Sequence, residues 1–310
     1  MIDPFSAAAG YVHEHWLVPA LYALDLMAWE ETGFTFVLLA LYGGAQVLLM
    51  LAICVPLERL NPVEEWDDHR VVWTDVLYTF IARMGLLPLL AFVVFREVQV
   101  AVDGWLADRG LVAPTLEGWF PFLAGLPLVT FALYVVILDL ADYWRHRLQH
   151  SIPWWWALHS VHHAQRQMTF WTDDRNHVLD DLISLVWFGG IALLIGVPPA
   201  QFPLVVLCLK LIESFSHANV RMGFGWLGER LLVSPRFHRA HHAVWSVGRR
   251  SVNFGAILPV WDWIFGTADF KGEYEPTGDP TAEEAMASGS WLAQQWAGLR
   301  RLAGSWVRRL

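Results

Sequence analysis

The histidines of this chain are concentrated in one stretch and lie at helical spacings. Ten of the thirteen fall between residues 146 and 242. Two segments repeat the pattern H-x-x-H-H and a third has H-x-x-x-H; their histidines are His146, His150, His159, His162, His163, His238, His241 and His242. Because residues three and four positions apart project from one side of a helix, each segment presents a cluster of imidazoles.

Such clusters predict metal binding. Imidazole is a common ligand of iron, copper, zinc and nickel. Three helical faces that offer two, three and three imidazoles exceed what one ion can hold, so the pattern predicts two ions. A lone histidine is usually a surface or core residue, but that explanation does not account for the repeated spacing. Cys54 and Cys208 both lie in apolar runs, which argues against an iron–sulfur cluster or a cysteine-based zinc site.

Further candidates lie between and beside the clusters. His177 and His217 are additional candidate ligands. Three carboxylates stand one helical turn from a histidine: Asp142 before His146, Asp181 after His177, and Glu213 before His217. A carboxylate that accepts the remote ring N–H would orient the ligand and raise its basicity.

The elements that carry these residues are predicted to be membrane helices. Hydrophobic residues make up 55% of the chain and charged residues 16%, against about 25% charged in soluble domains. Residues 34–57, 76–98 and 120–140 form apolar blocks long enough to cross a bilayer. Residues 182–216 are interrupted by Gly196-Val-Pro198-Pro199, which predicts a hairpin that returns to the same side, or crosses twice if tilted.

The predicted fold is therefore an all-α integral membrane protein. It has four to five membrane-embedded helices, namely three spans plus the hairpin, and a cytoplasmic helical cap that carries the histidines. Most of the 21 Lys and Arg residues lie beyond residue 140 outside the hairpin, which places the cap in the cytoplasm; in a bacterium the membrane would be the inner, or plasma, membrane. We expect four regions: 1–33 extracytoplasmic or interfacial, 34–140 membrane-spanning, 141–275 histidine-rich and catalytic, and 276–310 a linker with an amphipathic helix.

The motifs resemble those of the fatty acid hydroxylase/sterol desaturase superfamily over about residues 130–270. The matching segments are Asp142-Tyr143-Trp144-x-His146-Arg147-x-x-His150, His159-x-Val161-His162-His163, Arg175-x-His177, His217-x-Asn219, Pro235-x-x-His238-x-x-His241-His242, Asn253-Phe254-Gly255 and Trp261-Asp262-x-x-Phe265-Gly266-Thr267. Where the family often reads R-x-H-P-x-E, this chain has Arg175-Asn-His177-Val178-Leu179-Asp180.

The resemblance implies a pair of non-haem irons, with O₂ as co-substrate and two electrons, that act on an unactivated C–H bond of a lipid. The product would be a hydroxylated fatty acyl or sterol-like lipid. It also suggests that Asn219 holds a metal-bound water or orients a ligand. Two alternatives stay open: a desaturase or sterol C-methyl oxidase of the same superfamily, or a membrane protein with a structural or transport zinc site.

The expected partners are a membrane lipid substrate and a separate electron donor of the ferredoxin, cytochrome or reductase type. The sequence has no flavin or nicotinamide fingerprint, so electrons should come from another protein. The net charge of −9 argues against a nucleic-acid partner. Five arginines around the motifs could dock an acidic carrier or lie on the membrane surface: Arg145, Arg147, Arg166, Arg236 and Arg239.

Overall fold

A computed structural model describes residues 4–66, 68–84, 87, 101, 104–111, 115–197, 202–244 and 251–307 of the chain. Over these residues the protein is helical and has no β-strand; Ala243 and Thr277 form an isolated antiparallel bridge. The all-α prediction is confirmed for this part of the chain.

The described α-helices are numbered here in chain order. They are α1 Pro4–Val12, α2 Val18–Ala23, α3 Glu30–Leu60, α4 His69–Arg83, α5 Leu116–Trp119, α6 Pro127–Ser151, α7 Pro153–His163, α8 Val178–Ile195, α9 Phe202–Ser216, α10 Gly225–Leu231, α11 Pro235–His241, α12 Val260–Ile264, α13 Glu284–Ala287 and α14 Trp291–Val307. Proline begins α6, α7 and α11, since its fixed φ suits the first helical position, where no N–H is needed.

Two stretches of the described chain are long and apolar enough to cross a membrane: Met27–Leu60 and Pro127–Ser151. The first contains the predicted span 34–57, and the second contains most of 120–140. The α6 helix does not stop at residue 140 but continues through His146 and His150 to Ser151. No proline or glycine interrupts it before Pro153, so a single rigid helix joins the apolar segment to the first histidine pair.

The remaining predicted membrane segments are described only in part. The expected span 76–98 begins in α4, and most of its residues beyond Arg83 lie outside the described part of the chain. The expected hairpin corresponds to α8 and α9, which have 18 and 15 residues. Gly196 ends α8 in the left-handed conformation, with φ of 63°, as glycine commonly does at helix ends. Whether these segments cross the bilayer stays a prediction.

The predicted C-terminal helix corresponds to α14, which packs along α7. Its buried face includes Ala297 and Gly298, and a Cβ added at Gly298 would lie 2.5 Å from Cδ2 of His177. The apolar stripe predicted from the sequence points the other way: Leu292 and Trp296 are 71% and 61% exposed. Because small residues face α7, the large apolar ones remain available to a membrane surface.

A buried arginine ties the helices around the histidine clusters to one another. Arg175 is 0% exposed, and its guanidinium donates to Oδ1 of Asp75 in α4 at 2.8 Å. It also donates to the carbonyls of Val161 in α7 (3.0 Å) and of Met286 (2.7 Å) and Ala287 (2.8 Å) in α13. One side chain therefore links three helices.

We expect Arg175→Met to destabilise the protein by about 3–5 kcal/mol, since removing one partner leaves the Asp75 carboxylate buried and unpaired. The measurement is denaturant unfolding of the detergent-solubilised protein. Arg166→Met is the matched control, because Arg166 pairs with Glu284 on the surface, where an ion pair is worth about 0–1 kcal/mol. Equal losses in the two variants would contradict the assignment of Arg175 as the link.

Candidate metal centre

Nine of the ten candidate histidines converge in two groups. The first group is His146, His150, His159, His163 and His241; the second group is His162, His217, His238 and His242. Within each group, one ring nitrogen per residue lies within 4.8 Å of the corresponding atom of every other member. The second group is wholly buried, and in the first group only His150 is half-buried. The two groups adjoin, since the His163 ring stacks on the His242 ring with centroids 4.4 Å apart.

Each H-x-x-H-H segment contributes to both groups. In α7, His159 and His163 belong to the first group, whereas His162 belongs to the second. The segment containing α11 has the opposite distribution: His238 and His242 belong to the second group, and His241 belongs to the first. On a helix the i+3 and i+4 positions point to opposite sides of the direction set by residue i. The repeated motif thus places ligands at two neighbouring points.

The ring nitrogens lie at the spacing that one metal ion imposes. Four Nε2–Nε2 distances are short: His163–His241 3.1 Å, His162–His217 3.2 Å, His217–His238 2.9 Å and His238–His242 3.2 Å. Two imidazole nitrogens bound to one ion about 2.1 Å away, at right angles to one another, would lie about 3.0 Å apart. The donor sets therefore fit metal ions.

Hydrogen bonds leave several of these nitrogens as free acceptors. Three rings donate Nδ1–H to backbone carbonyls: His146 to Phe254 (2.9 Å), His241 to Val252 (2.7 Å) and His217 to Glu213 (2.7 Å). Because a carbonyl can only accept, the proton of a neutral ring is on Nδ1, and Nε2 keeps its lone pair. Nε2 of His146, His150 and His159 is buried with no hydrogen-bond partner among the described residues, as expected of atoms that face a metal.

The protonation of the rings suits the same role. Burial lowers the pKa of His241 to about 3. Burial, followed by the nearby imidazoles, holds the pKa of His163, His238 and His242 well below the usual range. These rings are therefore neutral at physiological pH, which is the form that coordinates metal.

One carboxylate supports the first group directly. Asp180 accepts from Nδ1 of His159 at 3.2 Å, from Nε2 of Gln149 at 2.8 Å and from Nε1 of Trp155 at 2.7 Å. A buried acid in this position fixes the tautomer of the ligand. The i, i+4 spacing predicts such a role for Asp181 toward His177. The neighbouring Asp180, the last residue of the segment Arg175-Asn-His177-Val178-Leu179-Asp180, plays this part instead, and it does so for His159 rather than for His177.

His177 lies outside both groups. It is the N-cap residue of α8: its Nδ1 accepts from the backbone N–H of Leu179 at 3.1 Å, and its Nε2 donates to the carbonyl of Gln295 at 3.0 Å. Both ring nitrogens are thus used in joining α8 to α14. The structure assigns this predicted ligand a helix-capping position.

Two of the predicted supporting carboxylates, Asp142 and Glu213, make other contacts. The carboxylate of Asp142 pairs with Arg145, with Nε 2.7 Å away, while His146 uses the Phe254 carbonyl. Glu213 receives the His217 N–H on its backbone carbonyl, and its carboxylate pairs with Lys210 at 2.7 Å. In both places a backbone carbonyl is the partner that the sequence analysis expected to be a carboxylate.

Asn219 holds a loop rather than a ring. Its Oδ1 accepts from the backbone N–H groups of Val63 (3.1 Å) and Glu64 (3.2 Å), and its Nδ2 donates to the Glu64 carbonyl at 2.7 Å. The residue therefore fastens the connection after α3 to the segment that follows His217.

Most of the five arginines that could dock an electron carrier or lie on the membrane surface are paired within the protein. Their contacts are Arg145 with Asp142, Arg236 with Glu229, Arg239 with Glu64, Arg166 with Glu284, and Arg147 over the Trp144 ring. Of these ion pairs only Arg166–Glu284 is mainly exposed, so the others are better explained as structural.

Comparisons with known proteins address the central part of the chain. Residues 131–267 match the family described as fatty acid hydroxylase. The chain is 32% identical over 189 residues to the alkylglycerol monooxygenase of Danio rerio, an alignment that covers 59% of this chain and 38% of that protein. It is 31% identical over 195 residues to the alkylglycerol monooxygenase of Homo sapiens, covering 61% and 40%.

A third relative carries the name of a desaturase. The chain is 24% identical over 227 residues to a probable Delta(7)-sterol 5(6)-desaturase of Neurospora crassa, covering 72% of this chain and 58% of that protein. The chain spans about two fifths of the length of the two alkylglycerol monooxygenases. No solved structure matches it.

The matched segment contains both histidine groups, from His146 to His242, and the relatives are named for oxygenation and for desaturation of lipids. Residues 131–267 therefore form a segment related to proteins of the fatty acid hydroxylase/sterol desaturase superfamily.

Proposed function

We propose that this chain is a membrane-bound di-iron hydroxylase that acts on a C–H bond of a lipid. The observation that carries the proposal is the pair of adjoining groups of five and four imidazoles, one of which starts on a helix long enough to cross a bilayer. In the overall reaction, the C–H bond, O₂, two electrons and two protons give an alcohol and one water.

Each histidine group would hold one iron ion. His146, His150, His159, His163 and His241 would bind one, and His162, His217, His238 and His242 the other. When bound, the iron pair supplies O₂ reduction, which amino-acid side chains alone do not provide. Imidazole suits zinc and copper as well, so the choice of iron rests on the family.

The residues of the chain would fix the orientation of the ligand rings and exclude water from this site. Asp180 and the carbonyls of Phe254 and Val252 fix three rings of the first group before any ion arrives. Burial of the second group excludes water from that side. His150, half-buried beside the Trp156 ring at 4.9 Å, forms the open edge of the first group. A substrate would approach the metals there.

The proposed substrate is a membrane lipid with a long alkyl chain. Such a chain can reach the cap from the bilayer while avoiding the hydration cost of entering water. Similarity to the two alkylglycerol monooxygenases makes an ether lipid the first substrate to test. From the distribution of Lys and Arg we further propose that the active site is cytoplasmic. We also propose a separate electron donor of the ferredoxin, cytochrome or reductase type, since the sequence carries no flavin or nicotinamide fingerprint.

Desaturation is the second candidate, and similarity to the probable sterol desaturase favours it. The reagents are the same: two adjacent C–H bonds, O₂, two electrons and two protons would give an alkene and two waters. A sterol C-methyl oxidase would use the same site for repeated oxidation of one carbon. Identification of the product therefore distinguishes hydroxylation, desaturation and repeated oxidation, since all three would use the same fold and site.

We predict that the purified protein binds two Fe²⁺ ions per chain under anaerobic conditions. His241→Ala and His162→Ala should each lower the stoichiometry toward one, because each removes a ligand from a different group. His177→Ala is the matched control, since that ring caps α8, and it should keep both ions. The measurement is iron content by elemental analysis after equilibrium dialysis.

Loss of an ion in His177→Ala would return His177 to the ligand set. A wild-type protein that excludes iron but binds one zinc in the second group would favour the structural-zinc alternative, since four imidazoles match the coordination number of zinc.

We also predict that cells expressing the chain accumulate a lipid one oxygen heavier than in cells expressing the His162→Ala, His241→Ala variant. Untargeted lipid mass spectrometry measures this difference in a host supplied with alkylglycerol lipids and a co-expressed donor. A lipid lighter by two hydrogens would establish desaturation. Identical lipid profiles, with both irons bound and reduced, would contradict lipid oxidation.

A further inference from the structure

A short backbone segment joins two rings of the first group to a buried carboxylate. The carbonyl of Val252 accepts from Nδ1 of His241 at 2.7 Å, and the carbonyl of Phe254 accepts from Nδ1 of His146 at 2.9 Å. These rings come from different helices, and residues 252–254 hold them both. The position of this segment therefore sets the direction in which two metal-facing nitrogens point.

The segment is fastened by Asp262, a residue in α12 that is 0% exposed. One carboxylate oxygen accepts from the backbone N–H of Phe254 and the other from that of Gly255, both at 2.7 Å. Thr267 donates its hydroxyl to the same carboxylate at 2.7 Å. Each oxygen thus holds one backbone N–H group, that of Phe254 or that of Gly255.

The backbone of the segment is shaped for this contact. A Cβ at Gly255 would lie 2.9 Å from the Asp262 carboxylate and 2.8 Å from the Leu258 carbonyl, so only glycine fits without a shift. Asn253 has φ of 60°, a left-handed conformation that asparagine tolerates. Its side chain donates to the Phe237 carbonyl at 2.8 Å and accepts from the Asp269 N–H at 2.6 Å.

The network also returns to the helix of His146. The hydroxyl of Thr267 lies 3.0 Å from that of Tyr143 in α6, and Arg147 donates to the Tyr143 hydroxyl at 3.0 Å. Asp262 is therefore connected to His146 along two routes, through the Phe254 carbonyl and through Tyr143. A shift of the Asp262 carboxylate would therefore change the position of the His146 ring relative to α6.

The second group lacks this support. His217 donates Nδ1–H to the Glu213 carbonyl of its own helix. Nδ1 of His162 and of His238 has no hydrogen-bond partner within the described ranges. The carboxylate of Asp262 thus acts through hydrogen bonds on members of the first group.

We propose that Asp262 is a positioning residue that sets the metal affinity of the first group through the carbonyls of Val252 and Phe254. The inference rests on the proposed function, in that both groups bind metal. It adds that different parts of the chain set the metal affinities of the two groups, so the affinity of one group can be lowered without that of the other. Within the described residues, the Asp262 carboxylate makes no hydrogen bond to a histidine ring of either group; its partners are Phe254, Gly255 and Thr267.

Asp262→Asn tests the inference. An amide has one accepting oxygen, so it can hold only one of the two N–H groups, and its NH₂ would face the other. We expect the first group to lose roughly 10–100-fold in affinity, the usual cost of removing an outer-sphere partner, while the second keeps its affinity. Titration with Co²⁺, followed by absorption spectroscopy, measures two binding events in the wild type and should show one weakened event in the variant.

Asp139→Asn is the matched control. Asp139 is also 0% exposed and accepts from two backbone N–H groups, those of Ile257 (2.8 Å) and Leu258 (3.1 Å), and from the Trp261 indole (2.8 Å). Residues 257 and 258, which Asp139 holds, follow closely after residues 252–255, but in the described chain their carbonyls accept from no ring of either group. The control should lower stability and leave both cobalt affinities as in the wild type.

Two further variants give reference spectra: His241→Ala lacks a ligand of the first group, and His238→Ala lacks a ligand of the second. The residual spectrum of Asp262→Asn should match that of His241→Ala. Three results would overturn the inference and leave the proposed function standing. They are wild-type cobalt affinity at both groups in Asp262→Asn, equal weakening of both groups in that variant, and the same weakening of the first group in Asp139→Asn. A wild-type chain that binds no ion would overturn both.

Discussion

The crowding of buried imidazole nitrogens is the constraint on which the rest of the structure depends. In the second group three pairs of Nε2 atoms lie 2.9–3.2 Å apart, and in the first group three buried nitrogens have no hydrogen-bond partner among the described residues. A buried polar atom without a partner is costly, and the one lone pair on Nε2 of His217 cannot accept a full hydrogen bond from both of its Nε2 neighbours. The scaffold must hold the rings against this cost, and a metal ion would remove the cost by serving as a shared partner.

Buried charge pairs provide much of that scaffold. The turn at residues 170–175 carries Asp173 and Asp174, which pair with Arg83 of α4 at 2.6 and 2.5 Å, and Arg175, which pairs with Asp75. Such pairs are expensive to desolvate and strongly destabilising when broken. They are placed between α4, α7 and α9, so the rings of His162 and His217 are held by elements that resist separation.

The parts of the site that depend on side-chain spacing could be predicted, and those that depend on backbone atoms could not. The i, i+3, i+4 pattern indicated the clusters around His159 and His238, although not that the i+3 residue belongs to the other group, which requires the relative placement of α7 and α11. The partners of His146, His241 and His217 are carbonyls, which every residue has. Asp180 and Asp181 are adjacent, and only the rotation of α8 selects the first. The all-α fold followed from apolar block lengths. The single helix from Pro127 to Ser151 was not predicted, because its apolar block ends at residue 140, although no proline or glycine interrupts the helix before Pro153.

In the proposed enzyme, that unbroken helix would fix the distance between the bilayer and the metals. At about 1.5 Å per residue, the 16 steps from Thr130 to His146 correspond to about 24 Å of helix, with no proline or glycine between them. For a helix embedded in a bilayer, the depth of the first histidine group is then set by the membrane itself. The carbon that reaches the metals would be selected by its distance from the bilayer surface, so membrane thickness would enter the regiochemistry of the reaction.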